Sequence, residues 1–190
     1  MSKTRLEAFS DGVIAILITI LVLELKAPPG SDWQALHSML PVFLPYVLSF
    51  VFLGIYWNNH HHMCQAAERV NGRILWANLH LLFWLSLIPF ATAWMGQTRL
   101  SPLPTAIYGV VLICAAVAYT ILQSAFISGH GPSSRLRAAV GKDFKGKLSL
   151  AGYAAAIPLS FVVPWAAVGI YVFVALIWIV PDPRIESRLP

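Results

Sequence analysis

The stretch RLEAFSDGVIAILITILVLEL, residues 5–25, decides how the rest of the chain is read. It opens like a soluble helix, meets Ser10 and Asp11, and then turns almost wholly apolar as far as Leu25. A secretory leader would pair the basic residues Lys3 and Arg5 with such a run. That reading fits poorly, because Glu7 and Asp11 interrupt the basic flank, no A-x-A-like site follows, and Leu23-Glu24-Leu25-Lys26 continues the helical pattern toward Pro28. The run is instead the length of a membrane span, which takes about 20 mainly apolar residues.

The rest of the chain agrees. Its 190 residues are 58% hydrophobic and 11% charged, with a mean hydropathy of +0.71, which excludes an ordinary soluble domain. Apolar stretches at about 7–26, 40–59, 74–96, 104–127, 147–163 and 165–180 predict six transmembrane helices. The fold class expected is therefore all-α and polytopic, with residues 1–190 as one six-helix domain in the lipid bilayer. Pro158 and Pro164 interrupt the last two stretches, which share almost no loop.

Positive residues are retained in the cytoplasm. With both termini inside, Lys3, Arg5, Arg69, Arg73, Arg135, Arg137, Lys142, Lys145, Lys147, Arg184 and Arg188 fall on the cytoplasmic side, against Lys26 and Arg99 outside. The chain is thus expected in the cell membrane in that orientation, and the net charge of +5 reads as a topology signal at an anionic leaflet. A nucleic-acid partner is not expected, since no soluble domain carries a basic face. Cys64 and Cys114 belong to different spans and indicate no disulfide framework.

Thr4-Arg5-Leu6-Glu7 has the form of a capping box, so the first helix is expected to start near Thr4, with Ser10 and Asp11 nearly two turns inside it. A carboxylate within a span is costly and needs a partner. At about 100° per residue, with Ile16 at zero, Phe9 lies near 20°, Thr19 near 300°, Ile20 near 40° and Leu23 near 340°, whereas Ser10 falls near 120° and Asp11 near 220°. Asp11 is therefore expected to point into the body of the protein, toward donors such as Trp57, His60, His61, His62, Asn78 or His80. His80 is expected to be a satisfied interior group.

The run His60-His61-His62 invites a metal reading. Adjacent helical residues diverge by about 100°, and the chain has no second His cluster, so neither a metal nor a cofactor is expected. No nucleophile elbow, phosphate loop or dinucleotide fingerprint is present, and no enzyme is expected. Ala167-Val168-Gly169-Ile170-Tyr171 superficially resembles a potassium-filter sequence, but it lies inside an apolar span rather than in a loop after a pore helix.

Arg5-x-x-x-Phe9-Ser10-Asp11, followed by Gly12 through Ile16 and by Thr19, with Trp57-x-x-His60-His61 at the end of the second span and Asn78 on the third, resembles the bacterial members of the endolysosomal potassium-channel family (transmembrane protein 175). The resemblance implies a potassium-permeable cation channel without a carbonyl filter. It further implies that Ile16, Thr19, Ile20 and Leu23 of the first helix line the pore, and that Arg5, Phe9, Ser10, Asp11, Trp57, His60, His61 and Asn78 form an interhelical network. One copy of the motif per chain implies a homotetramer passing potassium and other monovalent cations. An ion- or proton-coupled transporter is the alternative, because Asp11 and intramembrane histidines are able to relay protons.

Overall fold

The computed structural model describes residues 2–65, 70–129 and 143–179. These residues are all-helical, with no strand among them. The helices are α1 (Lys3–Leu23), α2 (Trp33–Ser38), α3 (Leu40–Gln65), α4 (Gly72–Ser86), α5 (Ile88–Gln97), α6 (Pro102–Gly129), α7 (Phe144–Leu159) and α8 (Pro164–Ile179). The basic residues Arg69, Arg135, Arg137, Lys142, Arg184 and Arg188 of the orientation argument lie outside the described residues.

Among the described residues, four segments are long and apolar enough to cross a bilayer: Lys3–Leu23, Leu40–Gln65, Gly72–Gln97 and Pro102–Ser128. The expected fifth and sixth spans correspond to α7 and α8, of 16 residues each. At 1.5 Å per residue each is about 24 Å long, short of a hydrocarbon core of about 30 Å. The expected third span is broken. Leu87 ends α4, and Pro89, which has no amide hydrogen to give the preceding turn, opens α5. The second span exceeds its expected end, since α3 runs on to Gln65 and carries all three adjacent histidines as helical residues.

Small residues set the close approaches. A Cβ on Gly96 would stand 3.0 Å from Val42 Cα, so α5 lies almost against the backbone of α3. A Cβ on Gly109 would collide with the Tyr171 hydroxyl, which donates to Thr105 O at 3.1 Å and ties α8 to α6. Buried hydroxyls are paired across helices, as burial requires: Ser49 on α3 bonds Thr92 on α5 at 2.6 Å and Tyr108 on α6 at 2.9 Å. Within this bundle α4 packs on α6, α6 on α7 and α7 on α8, while α1 packs against α3, α4 and α5. Only one side of α1 is used. Leu6, Ser10, Ile14, Leu17 and Leu21 are buried, and the opposite side is open.

Candidate functional site

The cap of α1 differs from the expected box. Ser2 is the N-cap, its hydroxyl accepting from the Arg5 amide at 3.4 Å, so the helix begins before Thr4. Glu7 takes no part in the cap and instead meets His61 on α3, whose Nδ1 lies 2.8 Å from its Oε1. Lys3 Nζ donates to Gln65 O at 3.1 Å, which sets the start of α1 beside the end of α3.

A buried polar chain runs inward from Ser10. Its hydroxyl donates to Leu6 O at 2.9 Å and accepts from Asn78 Nδ2 at 2.9 Å. Asn78 Oδ1 accepts from His60 Nε2 at 2.8 Å. That bond assigns the His60 proton to Nε2 and leaves Nδ1 as the acceptor facing Cys64 Sγ at 3.8 Å. Ser10 and His60 are fully buried and Asn78 is 1% exposed, so helices α1, α3 and α4 meet through hydrogen bonds that water does not reach.

A second set of contacts lies nearer the surface. Trp57 Nε1 donates to Asp11 Oδ1 at 3.0 Å, Trp57 stacks on His61 with ring centroids 6.3 Å apart, and Gln65 Nε2 lies 2.8 Å from His61 Nε2. Asp11 therefore stands half-buried on the flank of α1 and not in the body of the protein. Glu7 and Asp11 are four residues apart on α1, and Trp57 and His61 are four apart on α3, so two i,i+4 pairs meet as an antiparallel ladder. Sequence reasoning missed Glu7, Cys64 and Gln65 as partners. The matched i,i+4 spacings were the signal that could have found Glu7.

The remaining residues are placed differently. Arg5 and Phe9 are exposed, and among the described residues Arg5 makes no side-chain hydrogen bond or ion pair. The three histidines diverge: His60 turns to Asn78, His61 to Glu7 and Gln65, and His62 buries Nδ1 with no partner among the described residues. His80 is exposed and not interior, accepting from Trp84 Nε1 at 2.9 Å one turn along the same helix. The α1 stripe is open along its length, with Phe9 50%, Ile16 59%, Ile20 36% and Leu23 77% exposed. Thr19 lies on the same face, its hydroxyl donating to Ile16 O at 2.7 Å.

A bundle of several membrane-length helices, with an apolar outer helix pinned through buried polar groups, defines a multi-pass membrane protein. A family profile described as "Endosomal/lysosomal potassium channel TMEM175" matches residues 5–89, which contain both the anchor and the exposed stripe. The chain is 55% identical, over 100% of its length and 98% of the relative's, to a protein of Chryseobacterium sp. (strain P1-3) named as a potassium channel. It is 32% identical, over 98% and 97% of the two chains, to one of Streptomyces collinus with the same description. Its fold matches the crystal structure of a lysosomal potassium-selective channel TMEM175 homolog from Chamaesiphon minutus, with a TM-score of 0.80, 26% identity and 98% of each chain covered. The chain belongs to the TMEM175 family, a family of channels and not of enzymes.

Proposed function

We propose that this chain is a potassium-permeable cation channel in which four copies surround a pore lined by α1. The observation that carries the reading is the unpartnered apolar stripe of Ile16, Ile20 and Leu23, on a helix whose opposite face is held by buried polar bonds. Interhelical hydrogen bonds on the opposite face hold the stripe at one rotation. Around an axis it becomes a set of apolar rings at fixed radius. Ala8, Gly12 and Ala15 are exposed beside the stripe, and a Cβ on Gly12 would meet nothing within 4 Å. Such small residues let neighbouring helices approach closely.

The chemistry follows from hydration. Apolar rings gate by dewetting, and an ion crossing them must loosen its water shell. Potassium holds that shell less tightly than sodium, so a narrow apolar passage favours it. The Thr19 hydroxyl has its proton engaged by its own helix and presents only lone pairs outward, which suits a cation and not an anion. Ser10, Asp11, Trp57, His60, His61 and Asn78 act behind the helix, fixing its rotation and tilt, with Arg5 and Phe9 on its exposed side available to a neighbouring subunit.

In this reading residues 1–190 form one domain crossing the plasma membrane six times, with both termini cytoplasmic. The 16-residue helices α7 and α8 complete the count as short or tilted passages. The partners are monovalent cations, the bilayer and three further copies of the chain. Native mass spectrometry in mild detergent should give four subunits, and purified protein in a planar bilayer should pass steady current with a bi-ionic reversal potential favouring potassium. A conducting monomer, or flux that requires a co-substrate, would overturn it.

A further inference from the structure

Away from α1, the helices α3, α6, α7 and α8 line a partly open cavity of about 40 Å³, room for about three water molecules at roughly 13 Å³ each. Its walls are mainly aromatic: Phe52 and Tyr56 from α3, Tyr119 from α6, Tyr153 from α7 and Trp178 from α8. Asp143, the N-cap of α7, supplies a carboxylate, and among the described residues no Lys or Arg lines the cavity.

Some polar groups of the wall are already engaged. Trp178 Nε1 donates to Ser149 Oγ at 2.8 Å, and Ser149 donates onward to Lys145 O at 2.8 Å, which fixes the indole by its edge. The Tyr119 hydroxyl reaches Asn59 O at 3.5 Å. Two groups are not engaged. The hydroxyls of Tyr56 and Tyr153 have no hydrogen-bond partner among the described residues, although these side chains are only 8% and 3% exposed. Their oxygens are not sealed in the protein, since among the described residues His62 Nδ1 alone is a buried side-chain nitrogen or oxygen without a partner; two unpaired hydroxyls opening on one cavity suit an occupant with polar atoms. The carboxylate is held in place as well. Asp143 Oδ1 accepts from the Gly146 amide at 3.1 Å, and a Cβ on residue 146 would collide with it.

We propose that this cavity is a binding site for a small primary alkylammonium group. The ammonium donates hydrogen bonds to the Tyr56 and Tyr153 oxygens, its charge faces the rings and the Asp143 carboxylate, and its short alkyl stem lies against Phe52. Aromatic faces attract weakly hydrated organic cations. An anion would meet the carboxylate of Asp143, and a purely apolar guest would leave both phenols without a partner. A free amine and the ethanolamine headgroup of a lipid share this chemistry.

The test uses the full chain in nanodiscs of phosphatidylcholine, titrated calorimetrically with ethylammonium chloride at constant ionic strength. The wild-type protein should show saturable binding at one site per chain, and ethanol, of the same size without charge, should not. Asp143→Asn should weaken binding about tenfold, the loss of one charge-assisted contact. Tyr153→Phe, which keeps the ring, should weaken it about threefold while leaving the unliganded melting temperature unchanged, so the site remains testable even where Asp143→Asn fails to fold. Nanodiscs containing phosphatidylethanolamine separate the sources: reduced ethylammonium binding there assigns the site to the headgroup, and unchanged binding assigns it to a free amine. No saturable heat in the wild-type protein, or binding indifferent to both substitutions, would overturn the proposal.

Discussion

Replacing Asn78 by Leu removes the centre of the buried chain while keeping the branching of the side chain, and the double variant below corrects for the added volume of its methyl groups. The consequences at its two partners are unequal. Ser10 keeps its own donation to Leu6 O and loses only an incoming bond. His60, with no exposed surface, loses the acceptor of its Nε2 proton. An unsatisfied buried donor costs about 1–3 kcal/mol, whereas interhelical hydrogen bonds measured in membranes average about 0.6 kcal/mol because the unfolded helices also find partners. A loss near 2 kcal/mol lowers the melting temperature of a chain this size by about 4–8 °C. The assay is thermal unfolding in detergent, followed by loss of the folded peak on size exclusion.

The decisive comparison is the pair. His60→Phe together with Asn78→Leu removes both partners and leaves an apolar contact, which should return about 1 kcal/mol or more relative to the sum of the single changes. Asn78→Leu that melts with the wild-type protein, or a double variant whose loss equals the sum, would refute the claim that the His60–Asn78 bond couples α3 to α4 at the centre of the buried chain.

Three further outcomes are expected. Asp11→Ala should cost only about 1 kcal/mol, because its partner Trp57 is 47% exposed and its indole finds water or headgroups; Asp11→Asn keeps an acceptor and should recover most of that in the same melting assay. Ile16→Asn should raise conductance and lower the preference for potassium over sodium in bi-ionic recordings, whereas Ile18, packed against the core about 200° away, should change melting and not selectivity. Gly109→Ala should destabilise by about 1–3 kcal/mol, since its methyl group must displace the Tyr171 hydroxyl from Thr105, and Tyr171→Phe in the same chain should relieve part of the loss on thermal unfolding.

The rotation of α1 was legible from the chain alone. The angles of Phe9, Ile16, Thr19, Ile20 and Leu23 follow from 3.6 residues per turn, and these residues form the open stripe, while Ser10 turns inward with Leu6, Ile14, Leu17 and Leu21. Spacing of this kind is local, so it survives whatever the tertiary structure does. The membrane character was legible for the same reason, being a sum over residues.

What only the tertiary structure decided was pairing. The capping box at Thr4–Glu7 satisfied every local rule, yet Glu7 meets His61 and Ser2 takes the cap. Asp11 had six candidate donors and uses Trp57, and His80, which local pattern placed in the interior, faces outward. The break at Leu87 and the shortness of α7 and α8 likewise depend on neighbours. A helix's own periodicity fixes which residues share a face. Which face of another helix it meets, and at what height, is set by the relative rotation and axial shift of two rigid rods, chosen by close approaches such as Gly96 on Val42 that lie dozens of residues apart in the chain.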